Sequence, residues 1–339
     1  MPGLPTRSLG PFAVSAIGLG CMNLSHAYGV PPRPEDAARL LNHALDLGIT
    51  LLDTAALYGG GENERLIGHA IGHRRSEYVL ASKCVLDLVD GKRVLDGSPA
   101  AIHRTLDAAL RRLGTDHIDI YYLHRLDRRV PIEESVGALV EAKRSGKIGA
   151  IGLSEVSAAT LRRAHAVHPI AVVQHEYSPM VRNPDLAVLP ACVGLGVALV
   201  AFSPVARGLL ASGVRDDRYA PGDIRATMPR FVEPQLSHNL RTVHAFEAIA
   251  REAGLTPAQL SLVWVLHRDP RIIPIPGTQN LHHLRENVAA ATLTVRRDLL
   301  DAVDAIFVPG AIRGPRYGAA AQAQIDTETL PGEDLAAPA

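Results

Sequence analysis

The sequence predicts an α/β chain folded as a closed (β/α)8 barrel, a TIM barrel, with an N-terminal β-hairpin plug. Three observations carry this. Eight short apolar runs end near Gly20, Asp53, Lys83, His124, Ser154, Glu176, Phe202 and Pro276, at successive gaps of 33, 30, 41, 30, 22, 26 and 74 residues. A strand with its crossover helix takes about 30 residues, so the spacing fits repeated βα units with one long insertion. The runs at 118–123, 171–173 and 197–202 are almost continuously apolar, as parallel strands covered on both faces must be.

The helices between them have starts and stops. Residues 35–47 place Ala38, Leu41, Ala44 and Leu45 on one stripe and stop at Gly48; 100–113 stops at Gly114 and 133–145 at Gly146. Glycine just past the last turn is the expected cap. Ser98-Pro99, Ser157 and Thr256-Pro257 set a capping oxygen before a first turn. An open doubly wound sheet is the competing architecture. It wants GxGxxG after its first strand, but 18–23 reads GLGCMN without the third glycine. Residues 6–15 read as a hairpin turning at Gly10-Pro11, placed to plug the barrel bottom. Residues 205–234 read as a long loop covering the site. Residues 1–310 form one barrel domain, and 311–339, rich in Ala, Gly and Pro, a flexible tail.

Composition narrows the function. Of 339 residues, 35 are Lys or Arg and 35 are Asp or Glu, so formal charge is zero. That argues against a nucleic-acid or anionic-membrane surface. The longest nearly uncharged apolar stretch, 191–202, is 12 residues, short of the roughly 20 a spanning helix needs. The first seven residues have no apolar signal core. Three scattered cysteines (Cys21, Cys84, Cys192) read as reduced thiols, so the expected compartment is the cytoplasm. No HExxH or paired His/Cys spacing occurs, so no metal is expected.

Barrel enzymes build their sites at the C-terminal ends of strands. There this chain has Asp53 followed by Tyr58, then Lys83, His124, Ser154-Glu155, Gln174 and Ser203. Singly, each has an ordinary use: a turn aspartate, a packed loop tyrosine, a solvated lysine, a core histidine. Together at successive strand ends they suit proton transfer. A phenol's reference pKa near 10 is high, a nearby ammonium lowers it, and a buried ammonium needs a partner such as Asp53. A histidine beside the phenol can orient a carbonyl oxygen.

The chain resembles the aldo-keto reductase family in several motifs. Residues 48–59, GITLLDTAALYG, resemble GxxxxDTAxxYG, and GENERLIG at 61–68 continues it. Lys83, DIYYLHR at 119–125, GKIGAIGLS at 146–154, IPGT at 275–278 and Glu286-Asn287 follow in the family's order, over roughly residues 8–306. The IPGT ending and Ser154-Glu155 look more like the bacterial and channel-subunit-like branches than the aldose reductase branch. The resemblance implies NADP(H)-dependent reduction of a small carbonyl compound, or oxidation of the alcohol. It assigns Tyr58 as general acid, Lys83 and Asp53 as its tuning pair, and His124 as the carbonyl-orienting residue. For the cofactor it implies Gly20 and Met22 beside the first strands, Ser154, Glu155 and Gln174 at the carboxamide, and Phe202 stacked on the nicotinamide. It further implies Ser203, Pro204, Val205, Arg207 and Gly208 along the pyrophosphate, and Gly277, Thr278, Gln279, His283, Glu286 and Asn287 at the adenosine end, with a helix N-terminus for its phosphate.

Two departures stand out. Glu155 replaces a frequent Asn, and a carboxylate can only accept from the carboxamide NH₂. Gln279 and His283 stand where many members place Arg or Lys against the 2′-phosphate, which leaves NAD(H) possible. A nicotinamide-binding regulatory subunit of the channel-associated type is the competing function; turnover with an aldehyde separates the two. Tyr28, Met228, Phe231 and Tyr317 are further candidates for the pocket wall.

Overall fold

The computed structural model describes residues 3–25, 27–89, 91–330 and 333. The hairpin β1 (Thr6–Leu9) and β2 (Phe12–Ser15) precedes β3 (Leu19–Gly20), α1 (Pro34–Asp46), β4 (Leu51–Asp53), α2 (Glu62–Ile71) and β5 (Val79–Cys84). A second hairpin, β6 (Leu86–Val89) and β7 (Lys92–Leu95), comes before α3 (Pro99–Leu113), β8 (Ile118–Leu123), α4 (Ile132–Arg144), β9 (Ile148–Ser154), α5 (Ala158–Val167) and β10 (Val172–Glu176). Then follow α6 (Asn183–Leu186), α7 (Val188–Leu195), β11 (Ala198–Phe202), α8 (Gln235–Glu252), α9 (Pro257–Arg268), β12 (Ile272–Pro274), α10 (Leu281–Ala289), α11 (Arg297–Ile306) and α12 (Ala319–Gln322).

The sheet runs β3-β4-β5-β8-β9-β10-β11-β12, every neighbour parallel. Its edges meet: Gly18 N donates to Pro274 O at 3.0 Å and Gly20 N to Pro276 O at 3.4 Å. The barrel is therefore closed, which leaves no sheet edge to protect. Leu51, Ala81, Ile120, Ala150, Val172, Val200 and Ile273 fill the lumen. The N-terminal hairpin seals one end with Leu9 and Val14, both fully buried. Arg7 fastens it by donating to the carbonyls of Asp269 (2.9 Å), Leu266 (2.6 Å) and Ile272.

The expected caps are present. Ser98 Oγ accepts from Ala101 N and Ser157 Oγ from Thr160 N, and Thr256 forms a reciprocal capping box with Gln259. The buried face of α1 carries Ala37 and Leu40 beside Leu41, Ala44 and Leu45; Ala38 is only half-buried.

Three segments differ from expectation. The second hairpin was not foreseen, although 86–95 reads LDLV-DG-KRVL and Asp-Gly between two short runs is the signal of a two-residue hairpin turn. The segment 205–234 contains three short 3-10 turns, Ala206–Ala211, Ile224–Thr227 and Pro229–Phe231. The tail from 311 is not a free end where it is described. Arg316, Tyr317, Ile325, Thr327 and Glu333 are buried, and Asp326 accepts from Ser157 N and Thr160 Oγ1 at the start of α5. Small and proline-rich composition suggested mobility; the ion pairs of Arg316 and Glu333 hold the segment instead. Residues 331, 332 and 334–339 of that expected tail lie outside the described residues. Among the described residues, no helix is long and apolar enough to cross a membrane.

Candidate active site

The four catalytic candidates meet at the C-terminal mouth of the barrel. Asp53 ends β4 and Lys83 lies near the end of β5, and both point into the same buried spot. Lys83 Nζ pairs with Asp53 Oδ1, donates to Thr54 O at 2.9 Å and lies 3.4 Å from Tyr58 Oη. Tyr58 reaches back over this pair because Gly59, Gly60 and Gly61 all take left-handed φ (59°, 62° and 92°), turning the chain at once into α2. Asp53 Oδ2 accepts from Gln174 Nε2 at 2.7 Å, so both carboxylate oxygens are held. His124, directly after β8, packs its ring edge-on to Tyr58 with centroids 5.9 Å apart.

Electrostatics assign protonation states. Burial raises the Tyr58 phenol above its ordinary value; the Lys83 ammonium pulls it down, Asp53 pushes it up, and the net shift is upward. The expected lowering of the phenol is thus outweighed by desolvation. Burial opposes the Lys83 ammonium, but Asp53 and Tyr58 outweigh it and raise its pKa. Burial, then the charges of Arg125, Lys83 and Arg93, hold His124 well below the usual imidazole range. At neutral pH the site presents a neutral phenol, a charged lysine and a neutral imidazole.

A cavity of about 820 Å³ opens over these residues. Gly20, Met22, Asp53, Tyr58, His124, Ser154, Gln174 and Phe202 line one stretch of it. Ser203, Pro204, Val205, Arg207, Gly208, Gly277, Thr278, Gln279 and His283 line the rest. Lys83 lies behind Asp53 and Tyr58, fully buried. Tyr28, Met228 and Tyr317 wall the cavity as expected; Phe231 is buried away from it, among Leu209, Leu236 and Phe246.

Three of the expected cofactor residues, Glu155, Glu286 and Asn287, lie outside the cavity lining. The Glu155 carboxylate is fully buried and paired with Arg316 at 3.0 Å, and Oε1 accepts from Glu176 N at 2.9 Å. A tail arginine thus occupies the carboxylate that sequence placed at the carboxamide. Arg207 does line the cavity, but its guanidinium donates to Glu176 at 3.0 Å, Tyr317 Oη at 3.1 Å and Tyr28 Oη at 3.1 Å, so its charge is already paired. Glu286 and Asn287 sit further along α10, outside the lining. At the start of α10, Asn280 Oδ1 accepts from His282 N at 2.7 Å and His283 N at 3.4 Å, so a phosphate there would share these two amides with the cap.

Reasoning from the sequence missed Asn23, Arg93 and Arg125 in the lining. Arg125 follows His124 directly and could have been noticed; Arg93 sits in the unforeseen hairpin.

A closed parallel barrel whose one mouth holds a buried lysine–aspartate pair under a tyrosine, open to a cavity, has the architecture of the α/β-barrel enzymes. Comparison with known proteins supplies the particular family. Residues 16–307 match the model of the Aldo/keto reductase family, and the chain belongs to it. It is 39% identical to the aldo-keto reductase yakc [NADP(+)] of Schizosaccharomyces pombe, over 97% of this chain and 99% of that protein. Among solved structures it is similar to the glycerol dehydrogenase AKR11B4 from Gluconobacter oxydans, with TM-score 0.81 and 27% identity over 90% of this chain and 95% of that one. It is also similar to an aldo/keto reductase from Klebsiella pneumoniae in complex with NADP and acetate, with TM-score 0.72 and 27% identity over 93% and 99% of the two chains.

Proposed function

We propose that this chain is an NADP(H)-dependent oxidoreductase that reduces aldehydes and ketones to alcohols, reversibly, with Tyr58 as general acid. The observation that carries this is the Tyr58–Lys83–Asp53 relay opening onto the cavity beside a neutral His124. The residues present fit a dinucleotide. The cavity lies toward the upper end of the range of about 300–1,000 Å³ for ligand sites. It runs from Ser154 and Gln174, which can bond an amide, past the turn after β11 to the side chains of Thr278, Gln279 and His283. When bound there, the nicotinamide supplies the hydride.

The protein's own groups do the rest. His124, neutral, orients the carbonyl oxygen toward Tyr58. Tyr58 Oη gives its proton to that oxygen as negative charge develops on it. Lys83 stabilises the phenolate left behind, and Asp53, held by Gln174, keeps the ammonium in place without solvent. In the alcohol-oxidising direction the phenolate takes the proton back.

The cytoplasm is the compartment we propose, on the ground that Cys21, Cys84 and Cys192 form no disulfide. The test is NADPH oxidation followed at 340 nm with a panel of aldehydes and ketones. Turnover with several of them supports the reading. NADPH binding without turnover on any would move the chain to the cofactor-binding regulatory subunit.

A further inference from the structure

The cavity wall carries two arginines that the proton relay does not use. Arg125 is buried at 8% exposure and lines the cavity directly beside His124. Its Nη1 makes both of its hydrogen bonds, to His124 O at 2.7 Å and Ser154 Oγ at 3.5 Å, which leaves Nε and Nη2 for a ligand. Arg93, on β7, is exposed on one side and lines the same cavity on the other. Neither makes an ion pair with a carboxylate among the described residues, whereas the other two arginines of the lining do. Arg207 pairs with Glu176 and Arg225 with Asp223. The buried carboxylates nearby are committed: Glu155 to Arg316, Glu176 to Arg207 and Arg316, and Glu333 to Arg230.

Arg125 acts on the Glu155 carboxylate only through space, since Arg316 holds that group directly, and a buried guanidinium without a hydrogen-bonded counter-charge is costly unless a ligand supplies one. Arg125 bonds the His124 carbonyl, and the hairpin that carries Arg93 packs Leu86 and Leu95 against Leu57 and Tyr58, so both arginines lie at the reacting end of the cavity, where their charges also act on His124. The cofactor's phosphates belong at the other end, among Ser203–Gly208 and Gly277–His283. From this placement we propose that the substrate is an anionic carbonyl compound, whose carboxylate or phosphate group is held by Arg93 and Arg125 while Tyr58 and His124 take the carbonyl oxygen. Resting on the reductase reading above, this names its substrate class. The reaction balances as before: hydride from NADPH to the carbonyl carbon, the proton of Tyr58 to the oxygen, and the anionic group unchanged. Guanidinium forks suit both oxyanions, and Leu57, Leu86 and Tyr28 give the linking carbons an apolar wall.

The test compares kcat/KM for 4-carboxybenzaldehyde and 4-formylphenyl phosphate with that for 4-formylbenzamide, at constant NADPH, with the anionic groups also carried at the meta position. At least one anion should be favoured over the amide by about tenfold or more, the scale of charged hydrogen bonds. Which anion wins distinguishes carboxylate from phosphate. Arg125→Met and Arg93→Gln should each cut the acid-to-amide ratio by about tenfold, and Arg125→Lys should restore part of it. A ratio near one in the unaltered protein overturns the proposal and leaves the reductase reading standing. So does a ratio unmoved by both variants. Calorimetric titration of benzoate and phenyl phosphate into the NADPH complex tests the site without turnover. Binding that is lost in Arg125→Met supports it, and no binding of either overturns it, whether or not any aldehyde is reduced. NADPH affinity is measured alongside, and its collapse in Arg125→Met would assign that arginine to the cofactor instead.

Discussion

At the scale of single residues, the phenol of Tyr58 decides the chemistry. Tyr58→Phe keeps the ring and its packing against His124 but removes the transferable proton. It should therefore retain NADPH affinity and lose at least about a hundredfold in kcat, the low end for a general acid. Near-normal turnover of a ketone by this variant would contradict the assignment. The pH dependence has a definite sign. Burial, the largest influence on Tyr58 and only partly offset by Lys83, raises it, so the acid form persists through and above neutrality; His124 titrates well below its usual range and stays neutral. Reduction should be nearly flat from pH 6 to 8, while alcohol oxidation, which needs the phenolate, should climb as pH rises. A profile of reduction falling across that interval would contradict these states. The cofactor end offers a second residue-scale prediction. Gln279 Nε2 donates across the cleft to Asn23 O at 2.6 Å and carries no charge. NADPH should still bind better than NADH through neutral donors. Gln279→Arg should tighten NADPH by about tenfold with little effect on NADH, as a charge-assisted bond to phosphate replaces a neutral one. Fluorescence titration of both cofactors checks it.

At the scale of elements, the segment 205–234 is tied to both sides of the cavity. Ile224 N donates to Ala27 O at 2.9 Å, Arg225 stacks over the Tyr28 ring at 5.3 Å, and Arg207 reaches Tyr28 Oη. This supports a cover that must part for a dinucleotide to enter and leave. Arg215 and Arg218 are the trypsin sites to watch, since their side chains are exposed whereas those of Arg207, Arg225 and Arg230 are largely buried. Bound NADPH should slow cleavage at Arg215 and Arg218, by up to about a hundredfold at 100 times its Kd if opening requires release. Identical digestion with and without NADPH would remove the cover. The barrel strands were legible because most are short apolar runs that break into polar residues only at their C-terminal ends, as in LLD, VLASKC and VVQHE, and the helices because caps and glycines mark their ends. The β6–β7 hairpin and the seating of the tail were not. The first has strands of only four residues that mix charges with apolar side chains, with Leu86 buried but Leu88 and Val94 exposed, and the second depends on ion pairs between residues more than a hundred positions apart, such as Arg316 with Glu155.

At the scale of the whole molecule, the same long-range pairs couple the tail to the barrel. The catalytic quartet could be read from strand ends because its members share one mouth. The fate of Glu155 could not, because nothing local distinguishes a carboxylate facing a cofactor from one facing Arg316. That pairing makes an acid-stability prediction. Burial alone would raise Glu155, but Arg316, His175 and Arg125 outweigh it and hold the carboxyl at about 2. Its contribution is present above its unfolded value near 4.3 and is lost as pH falls toward 2. His175, 3.7 Å from Glu155, is lowered to about 4, chiefly by burial. A histidine buried neutral also favours the fold above its unfolded value near 6.5, and that contribution is lost as pH falls toward 4. Both effects run the same way, so Tm should decline progressively from about pH 6.5 downward. Arg316→Met leaves Glu155 buried beside a missing partner and should cost about 3–5 kcal/mol near neutrality, the usual penalty for breaking a buried pair. The double variant Arg316→Met with Glu155→Gln should recover much of that loss, because position 155 then carries no buried charge in need of Arg316. Calorimetric or dichroism melts of the three proteins between pH 3 and 8 measure both effects. Equal Tm values for Arg316→Met and the unaltered chain would mean that the C-terminal segment rests on the barrel without holding it.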